Sequence, residues 1–367
     1  MNRFSTPGRS PGLHAGPSSP DSARTPARGR RPWRRVRGAV LLAVLLVLGA
    51  PGTAGLASAE TRPSPAVPSP RTGTEGAGAR HASLYVADYA GNDVLERRLP
   101  RGPQATVPTT DLTRPTYLAL DRSRALYVAD TGDNRIVKVS ADGRQTTVPT
   151  QDLQRPLGLA LSRAGDLYIA DSFNDRVVKV SADGQQTTVP TRGLLHPEGL
   201  ALDETRKRLY VADFVNDRVV RVPVGGSGGG QRTVRTSGLS QPTGLALDAR
   251  AQRLYVSDSG NDRVVRVPVG AGGGAQRTVR TDGLSSPSGL ALDEARKHLY
   301  VADFGNDRVV RVPVRGGRQT TVPFTGLTTP VGLVLRPGGH ERHDAARRRE
   351  AGTPRARAMS YGSAAGR

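Results

Sequence analysis

The chain has 367 residues, no cysteine and a formal net charge of +21, and only 4% of its residues are aromatic. The lack of cysteine excludes a disulfide scaffold, a cysteine-ligated zinc site, a thiol nucleophile and a lipoprotein anchor. The low aromatic content argues against a stacking platform for single-stranded nucleic acid. Only the net charge suggests nucleic acid or anionic lipid as a partner.

The positive charge is concentrated outside the segment that can build a core. Residues 1–59 carry nine basic residues and one acidic residue, whereas residues 81–336 carry 34 basic and 26 acidic residues. A mixture of this kind is typical of an ordinary protein surface. We therefore expect no nucleic-acid partner.

The N-terminal part has the composition of a leader. Residues 1–32 are rich in Arg, Pro, Ser and Gly, and we expect them to form a disordered basic segment. Within residues 33–59, an arginine cluster precedes an uncharged apolar run, and Ala57-Ser58-Ala59 follows. This order is typical of a secretory signal peptide, and an uncleaved membrane anchor is the alternative. Either reading places the rest of the chain outside the cytoplasm.

Two further segments have no apolar pattern. Residues 60–80 are rich in Pro, Ser and Thr and predict a linker, and residues 337–367 predict a disordered, Arg-rich tail. Residues 81–336 therefore form the one predicted domain. We expect it to be a monomer that meets the membrane only through the N-terminal segment, if that segment is uncleaved.

A repeat dominates residues 81–336. The motif Leu-Tyr-Val-Ala-Asp, with small variations, begins six times, at spacings of 42, 41, 42, 45 and 45 residues. Pro-x-Gly-Leu-Ala-Leu precedes the later copies, Arg-Val-Val-Lys/Arg-Val follows most of them, and a Gln-Thr-Thr or Gln-Arg-Thr run closes the unit. Four short strands at this period are typical of one propeller blade.

The counting of strands predicts how the ring closes. The series begins at a second strand, Leu84 to Asp88, and ends at a lone first strand, Gly332 to Leu335. The sequence therefore predicts an all-β, six-bladed β-propeller of four-stranded blades, in which the C-terminal first strand pairs with the three N-terminal strands. Such a clasp removes the open edge that a linear array would leave.

The motifs resemble the NHL repeat. Pro-x-Gly-Leu-Ala-Leu-Asp followed by Leu-Tyr-Val-Ala-Asp-x-x-Asn-Asp-Arg-Val matches that repeat almost residue for residue at 197–219, 242–264 and 287–309. The resemblance covers residues 84–335 and implies a six-bladed propeller. With its leader and linker, the chain is similar to bacterial extracytoplasmic NHL proteins and to the sensor propeller of mycobacterial receptor-type Ser/Thr kinases. The family implies a fold more firmly than a function.

An aspartate closes the second strand in all six units. A sixfold set of this kind could ring a cation, but a residue repeated in every blade usually maintains the blade. We expect each carboxylate to accept N–H bonds from the turn that follows it, with Asn and Arg residues of the same unit as partners. The set comprises Asp88, Asp130, Asp171, Asp213, Asp258 and Asp303.

Catalysis requires unlike groups that converge on one point. The residue after each first-strand proline should lie near the channel mouth, and of these six residues only Glu198 is acidic, with His196 two positions before it. A zinc lyase needs about three converging histidines, whereas residues 81–336 contain only His81, His196 and His298. We therefore predict no metal and no cofactor, assign no catalytic residue, and do not expect the chain to be an enzyme.

Loop residues that break the sixfold pattern are the better candidates for binding. Aromatic residues follow the strand-end aspartate within two positions in four units, and Arg or His precedes the first-strand proline in three units. The alternative is that each aromatic residue packs between blades. The predicted binding residues are Tyr89, Phe173, Phe214, Phe304, Arg114, Arg155, His196 and Glu198.

The sequence thus favours an extracytoplasmic module, secreted or anchored on the outer face of the cytoplasmic membrane, that binds or senses a ligand through one propeller face. The partner would be an unidentified protein, peptide or envelope glycan. An enzyme of the lactonase or lyase class at the channel mouth is the first alternative. A propeller that binds a polyanion through a basic face is the second.

Overall fold

A computed structural model describes residues 81–225 and 230–338 of the chain. The leader and the linker predicted for residues 1–80 lie outside the described residues, as do residues 339–367 of the tail predicted for 337–367. Within them, 24 strands form six antiparallel sheets of four strands each. The fold class predicted from the repeat, an all-β six-bladed propeller, is confirmed.

The strands occur in chain order from β1 to β24. Blade 1 contains β24 (Pro330–Arg336), β1 (Ser83–Asp88), β2 (Asp93–Arg98) and β3 (Gln104–Thr106). Blade 2 contains β4 (Pro115–Leu120), β5 (Leu126–Asp130), β6 (Arg135–Val139) and β7 (Gln145–Thr147). Blade 3 contains β8 (Pro156–Leu161), β9 (Leu167–Asp171), β10 (Arg176–Val180) and β11 (Gln186–Thr188).

The other three blades repeat this order. Blade 4 contains β12 (Pro197–Asp203), β13 (Arg208–Asp213), β14 (Arg218–Pro223) and β15 (Arg232–Thr233). Blade 5 contains β16 (Pro242–Asp248), β17 (Arg253–Asp258), β18 (Arg263–Pro268) and β19 (Arg277–Thr278). Blade 6 contains β20 (Pro287–Asp293), β21 (His298–Asp303), β22 (Arg308–Pro313) and β23 (Thr320–Val322).

The ring closes as the strand count predicts. Strand β24 pairs antiparallel with β1, with Leu84 opposite Leu335 and Val86 opposite Leu333. Leu333 is buried in a cluster that also contains residues of blade 6, such as Tyr300. The C-terminal strand therefore completes blade 1 and packs it against its neighbour.

Small residues allow the first strands to crowd together at the centre. A Cβ atom added to Gly199 would lie 2.2 Å from the carbonyl oxygen of Thr243 in the next blade, closer than real Cβ contacts come. A Cβ atom added to Gly158 would likewise lie 2.0 Å from the carbonyl oxygen of Glu198. The glycine of the Pro-x-Gly motif is therefore needed for the close approach of neighbouring blades.

The blades are held together by separate apolar clusters. Five of the six second-strand tyrosines and the valines of the third strands are buried between neighbouring sheets, and Tyr127 of blade 2 is partly buried. One such cluster joins Tyr210 and Val219 of blade 4 to Leu254 and Val265 of blade 5. Both faces of a blade are apolar because each blade lies between two others. The rigid ring leaves the loops at its two ends to carry specific features.

Candidate functional site

One end of the ring is formed by two classes of loop, which we call the loop face. It contains the turns between second and third strands and the segments that enter the first strands. A backbone hydrogen bond joins the two classes in each blade, such as Phe173 N–H to the Gln154 carbonyl at 3.1 Å and Val215 N–H to the Leu195 carbonyl at 3.3 Å. Residues from both classes therefore lie side by side.

The strand-end aspartates hold these loops in place. In blade 4, Asp213 is fully buried and accepts hydrogen bonds from the Leu195 backbone N–H at 2.8 Å, from Arg218 Nε at 2.6 Å and from Asn216 Nδ2 at 2.9 Å. The same arrangement of backbone N–H and arginine recurs in blades 2, 3, 5 and 6. The aspartates therefore maintain the blades.

In blade 1 Asp88 accepts an N–H bond from Gly91 of the following turn, at 3.3 Å, as predicted, but in blades 2 to 6 the backbone donor belongs to a different segment. The turn that follows was expected to supply the N–H group, but Asp213 accepts it from the segment that enters the first strand of the same blade. The reason is the register, which places Pro197 opposite Asp213. Proline has no N–H to donate and the N–H of His196 donates to Asp175, so the backbone donor to Asp213 is Leu195, two residues before the proline.

A second set of hydrogen bonds joins successive blades. The residue before the first-strand proline has a left-handed backbone, with φ of 53° at Arg114, 48° at Arg155 and 49° at His196. Its N–H donates to a side-chain oxygen of the preceding blade: Asn92 for Arg114 at 2.8 Å and Asn134 for Arg155 at 2.7 Å. These three predicted binding residues are thus held at fixed positions on the rim.

Two of the predicted binding aromatics are buried. Phe214 is 1% exposed and Phe304 is 6% exposed, and both pack with Tyr117, Leu157 and Val331. Both follow the strand-end aspartate directly, and that position directs the side chain inward. Phe214 and Phe304 therefore take the packing alternative rather than the binding one, and Tyr89 lies partly buried against the same cluster.

Phe173 stands one position further along its loop and points outward. It is 36% exposed, its ring lies 4.9 Å from the His196 ring in an edge-on arrangement, and the Arg155 guanidinium lies 4.9 Å from its centroid. Phe173 therefore contacts two other predicted binding residues, Arg155 and His196, at the junction of blades 3 and 4.

Two neighbours extend this surface. Leu195 is 41% exposed and Val215 is 48% exposed, and among the residues that the structure describes only these two and Phe173 are exposed large hydrophobic side chains. We call Phe173, Leu195 and Val215 the blade 3–4 patch. An alignment of the six repeats would reveal Leu195 and Val215, because most other blades have Thr, Ser or Gln at the first position and Gly at the second.

Glu198 lies near the axis of the ring, as predicted, but inside the protein. It is 4% exposed, and burial raises the pKa of its carboxyl from 4.5 to about 8. The equivalent residues of the other blades, among them Thr243 and Ser288, are also buried. Glu198 therefore contributes to the interior of the channel mouth and not to the exposed loop face.

Tyr117 is a residue that the sequence reading did not single out. It replaces the glycine of the Pro-x-Gly motif in blade 2, and its side chain crosses the axis towards Thr243 and Ser288 of blades 5 and 6. Its hydroxyl is buried without a hydrogen-bond partner among the described residues. Burial, and then the nearby Glu198 carboxylate, raise the pKa of Tyr117 well above its ordinary value.

We expect the buried carboxyl to make stability depend on pH. With a pKa of about 8 in the folded protein and 4.5 when unfolded, Glu198 keeps its proton in the folded chain over a range where the unfolded chain loses it. Its contribution to stability is complete below pH 4.5 and declines as pH rises to 8. Each pKa unit corresponds to about 1.4 kcal/mol, so the free energy of unfolding of wild type should fall by about 3 kcal/mol between pH 4.5 and pH 7.

Glu198→Gln should remove that loss. Urea unfolding at several pH values between about 4.5 and 8 gives the free energy of unfolding of wild type and variant. The stability of the variant relative to wild type should increase as pH rises. A difference that stays constant over the whole range would contradict the assignment.

Within residues 81–225 and 230–338, no group of three or more His, Cys, Asp or Glu side chains is arranged to hold a metal ion. In the same residues, no helix has the length and apolar character needed to cross a bilayer.

Comparisons with known proteins agree with the fold. Residues 226–333 match the family model described as "SMP-30/Gluconolactonase/LRE-like region". No curated protein sequence matches the chain.

Solved structures give fold matches over most of the domain. A chain of a nidogen/laminin complex is 24% identical and matches with a TM-score of 0.62, over 69% of this chain and 98% of that chain. A streptogramin B lyase is 18% identical, with a TM-score of 0.52 and coverage of 70% and 87%. Virginiamycin B lyase from Staphylococcus aureus is 16% identical, with the same TM-score of 0.52 and the same coverage. The six in-register repeats, the closed ring and these matches identify residues 81–336 as a six-bladed β-propeller whose repeats resemble the NHL repeat.

Proposed function

We propose that this protein is a binding or sensing module that presents its loop face to a protein or peptide partner. The observation that carries the proposal is the blade 3–4 patch, the cluster of exposed large hydrophobic side chains on the described surface. Exposed apolar residues rimmed by polar groups are typical of interaction sites. Here the rim consists of Arg155 and His196, which contact Phe173.

The composition of the patch favours a protein or peptide over a glycan. Leu195 and Val215 are aliphatic, and aliphatic side chains pack best against apolar side chains of a partner. Arg155 and the Phe173 ring add the residue types that are enriched at interaction hot spots. One fold neighbour is a chain of a nidogen/laminin complex, which supports a protein partner in general.

We also propose that the propeller acts outside the cytoplasm, secreted or anchored on the outer face of the cytoplasmic membrane. The support is the basic and apolar pattern of residues 33–59, which is typical of an export signal. A reporter enzyme fused after residue 80 should be exported, and its retention in the cytoplasm would reject this part of the proposal.

The binding proposal predicts the outcome of an affinity capture. The full chain, immobilised and exposed to envelope extract, should retain a discrete partner. Leu195→Ser combined with Val215→Ser should reduce that retention at least tenfold, because the apolar anchor is lost without any change to the buried core.

The control places the changes on the other end of the ring. Arg122 and Arg144 are exposed in turns between first and second and between third and fourth strands of blade 2. Arg122→Ala with Arg144→Ala should retain the partner as well as wild type does. Equal retention by the patch variant and wild type would reject the loop face as the binding surface.

A second candidate is an enzyme at the channel mouth. The observation that favours it is the convergence of Glu198, Tyr117, Thr243 and Ser288 from four different blades. Phe214 and Phe304 are packed at the same mouth, so a substrate would have to displace them. Measurable turnover of a lactone or cyclic ester that is lost in Glu198→Gln would support this candidate over the first.

A further inference from the structure

Blades 4 and 5 differ from the other four blades at their outer edges. In these two blades the fourth-strand run reads Gln-Arg-Thr-Val-Arg, whereas every other blade has Thr or Ala at the first arginine position and Pro at the second. These four arginines are exposed, and each blade adds a half-buried arginine on its third strand. We call the six residues the outer arginine set: Arg221, Arg232 and Arg235 of blade 4, and Arg266, Arg277 and Arg280 of blade 5.

Two like charges face each other in each of these blades. Arg221 lies directly opposite Arg232 across β14 and β15. Arg266 lies directly opposite Arg277 across β18 and β19. Directly opposed residues of antiparallel strands have Cβ atoms about 4.5 to 5.5 Å apart, and like charges at such positions destabilise a sheet. The stability of the fold therefore does not account for either pair.

The same sheet position is occupied differently in other blades. In blade 3, Lys179 lies opposite Thr187 and pairs with Asp166 at 3.0 Å. In blade 1 the equivalent residue is Glu96, which pairs with Arg336 at 2.9 Å. Charge at this position is thus compensated in blades 1 and 3 and doubled in blades 4 and 5.

The buried aspartates of blades 4 and 5 are paired with residues outside the outer arginine set. Their partners are Arg206 for Asp203, Arg218 for Asp213, Lys297 for Asp248 and Arg263 for Asp258. Among the residues that the structure describes, no carboxylate forms an ion pair with a member of the outer arginine set. The positive charge of this surface is therefore not neutralised within the described part of the ring.

The surroundings of the outer arginine set favour recognition by charge alone. Strands β14, β15, β18 and β19 contain no aromatic residue that could stack on a base. The turn that leads to Arg277, residues 271–275, consists of exposed Gly and Ala and has no bulky side chain. An extended chain can therefore approach the arginines closely.

The type and the arrangement of these residues indicate the kind of anion. Two neighbouring guanidinium groups can share one tetrahedral phosphate, whose oxygens point in several directions, whereas a planar carboxylate is satisfied by one bidentate arginine. The opposed pair of blade 4 recurs at the equivalent position of blade 5. A ligand that contacts both pairs must carry anionic groups at repeated intervals along its length.

We propose that the outer arginine set binds a linear polymer of phosphate groups that runs across the outer edges of blades 4 and 5. This binding surface is separate from the loop face and goes beyond the function proposed for that face. Spanning two blades increases the affinity, because a chain held at one pair meets the second pair at a high effective concentration.

The test measures binding of fluorescently labelled long-chain inorganic polyphosphate to the full chain. Unlabelled long-chain polyphosphate should compete at least tenfold better than triphosphate at equal phosphate concentration, because only the long chain reaches both blades. Poly-L-glutamate of equal charge should compete at least tenfold less well than long-chain polyphosphate. The affinity should fall steeply as the salt concentration rises.

A double variant removes one arginine from each opposed pair. Arg232→Thr with Arg277→Thr introduces the residue that blades 2, 3 and 6 have at this position, and it should weaken polyphosphate binding at least tenfold. Each phosphate contact contributes about 0.7 to the slope of log affinity against log salt concentration for single-stranded polyanions, so the slope should decrease by about 1.4. The matched control, Arg122→Thr with Arg144→Thr, removes the same charge from exposed positions of blade 2 and should keep the affinity and slope of wild type.

Thermal melts distinguish a binding role from a structural one. Because the double variant relieves the repulsion within each opposed pair, its melting temperature should equal or exceed that of wild type. A lower melting temperature would show that the arginines maintain the blades and would overturn the inference.

Other results would also overturn it. An absence of polyphosphate binding, or equal loss of binding in the double variant and its control, would remove the assignment to the outer arginine set. Tighter binding of heparin than of polyphosphate would assign a sulfated glycan in place of a phosphate polymer. Leu195→Ser with Val215→Ser should bind polyphosphate as wild type does, so the loop-face function can fail while this inference stands.

Discussion

A chain truncated after Thr329 should lose cooperative folding, since the ring then has no clasp. Strand β24 supplies the first strand of blade 1 and buries Val331 and Leu333. Full burial of two such side chains contributes about 3 to 6 kcal/mol, and the backbone bonds to β1 are lost with them. The total free energy of unfolding of a native domain is only about 5 to 15 kcal/mol.

The matched control for this truncation ends at Pro337 and keeps β24 intact. Thermal unfolding followed by circular dichroism, together with limited proteolysis, compares the two chains. The control should melt in a single transition, and the shorter chain should melt broadly and be cleaved within blade 1. Similar cooperative melts for both chains would show that the clasp does not hold the ring.

Asp213→Ala should produce the largest loss of stability from a single substitution on the loop face. The fully buried carboxylate pairs with Arg218 and fixes the backbone of Leu195. Breaking a buried ion pair typically costs 3 to 5 kcal/mol, and because the Arg218 side chain remains 30% exposed we expect about 3 kcal/mol. The midpoint of thermal unfolding should fall by about 6 to 12 °C.

The comparison variant is Asp217→Ala, four residues along the same loop. Asp217 is exposed and accepts a single backbone hydrogen bond, from Gln241 at 2.7 Å. Its removal should cost about 1 kcal/mol. Asp217 also has a left-handed backbone, with φ of 51°, so alanine there adds backbone strain to the lost bond. Equal destabilisation by the two variants would therefore refute the special role of the strand-end aspartate. Asp213→Ala should also weaken partner binding, because it releases the loop that carries Leu195.

The repeat in the sequence was enough to predict the architecture. Six copies of the Leu-Tyr-Val-Ala-Asp strand predict six blades, and the unmatched strand at each end predicts the clasp between β1 and β24, which the structure confirms. This success has a physical reason. Each blade packs only on its neighbours, so local periodicity determines most of the fold.

The loop face was predicted less well, because position within a short loop decides where a side chain points. Phe214 and Phe173 stand one and two residues after their aspartates, and that single step turns the first side chain into the core and the second towards solvent. The grouping of four aromatics by loop could not distinguish these directions.

Tyr117 shows a second limit of the sequence reading. A tyrosine in place of the motif glycine was visible as a variant of the repeat, but its effect depends on what stands across the axis. The structure places Thr243 and Ser288 there, in blades that follow more than a hundred residues later. Contacts across a closed ring do not follow from the pattern within one repeat.

The most direct test of the loop-face function is site-specific photo-crosslinking in cells that produce the full chain. The photoreactive residue p-benzoylphenylalanine would replace Val215, which is exposed within the blade 3–4 patch, or Arg144 on the opposite end of the ring. We predict a discrete adduct with a second protein from position 215 and none from position 144. No adduct from position 215, or the same adduct from both positions, would contradict the account.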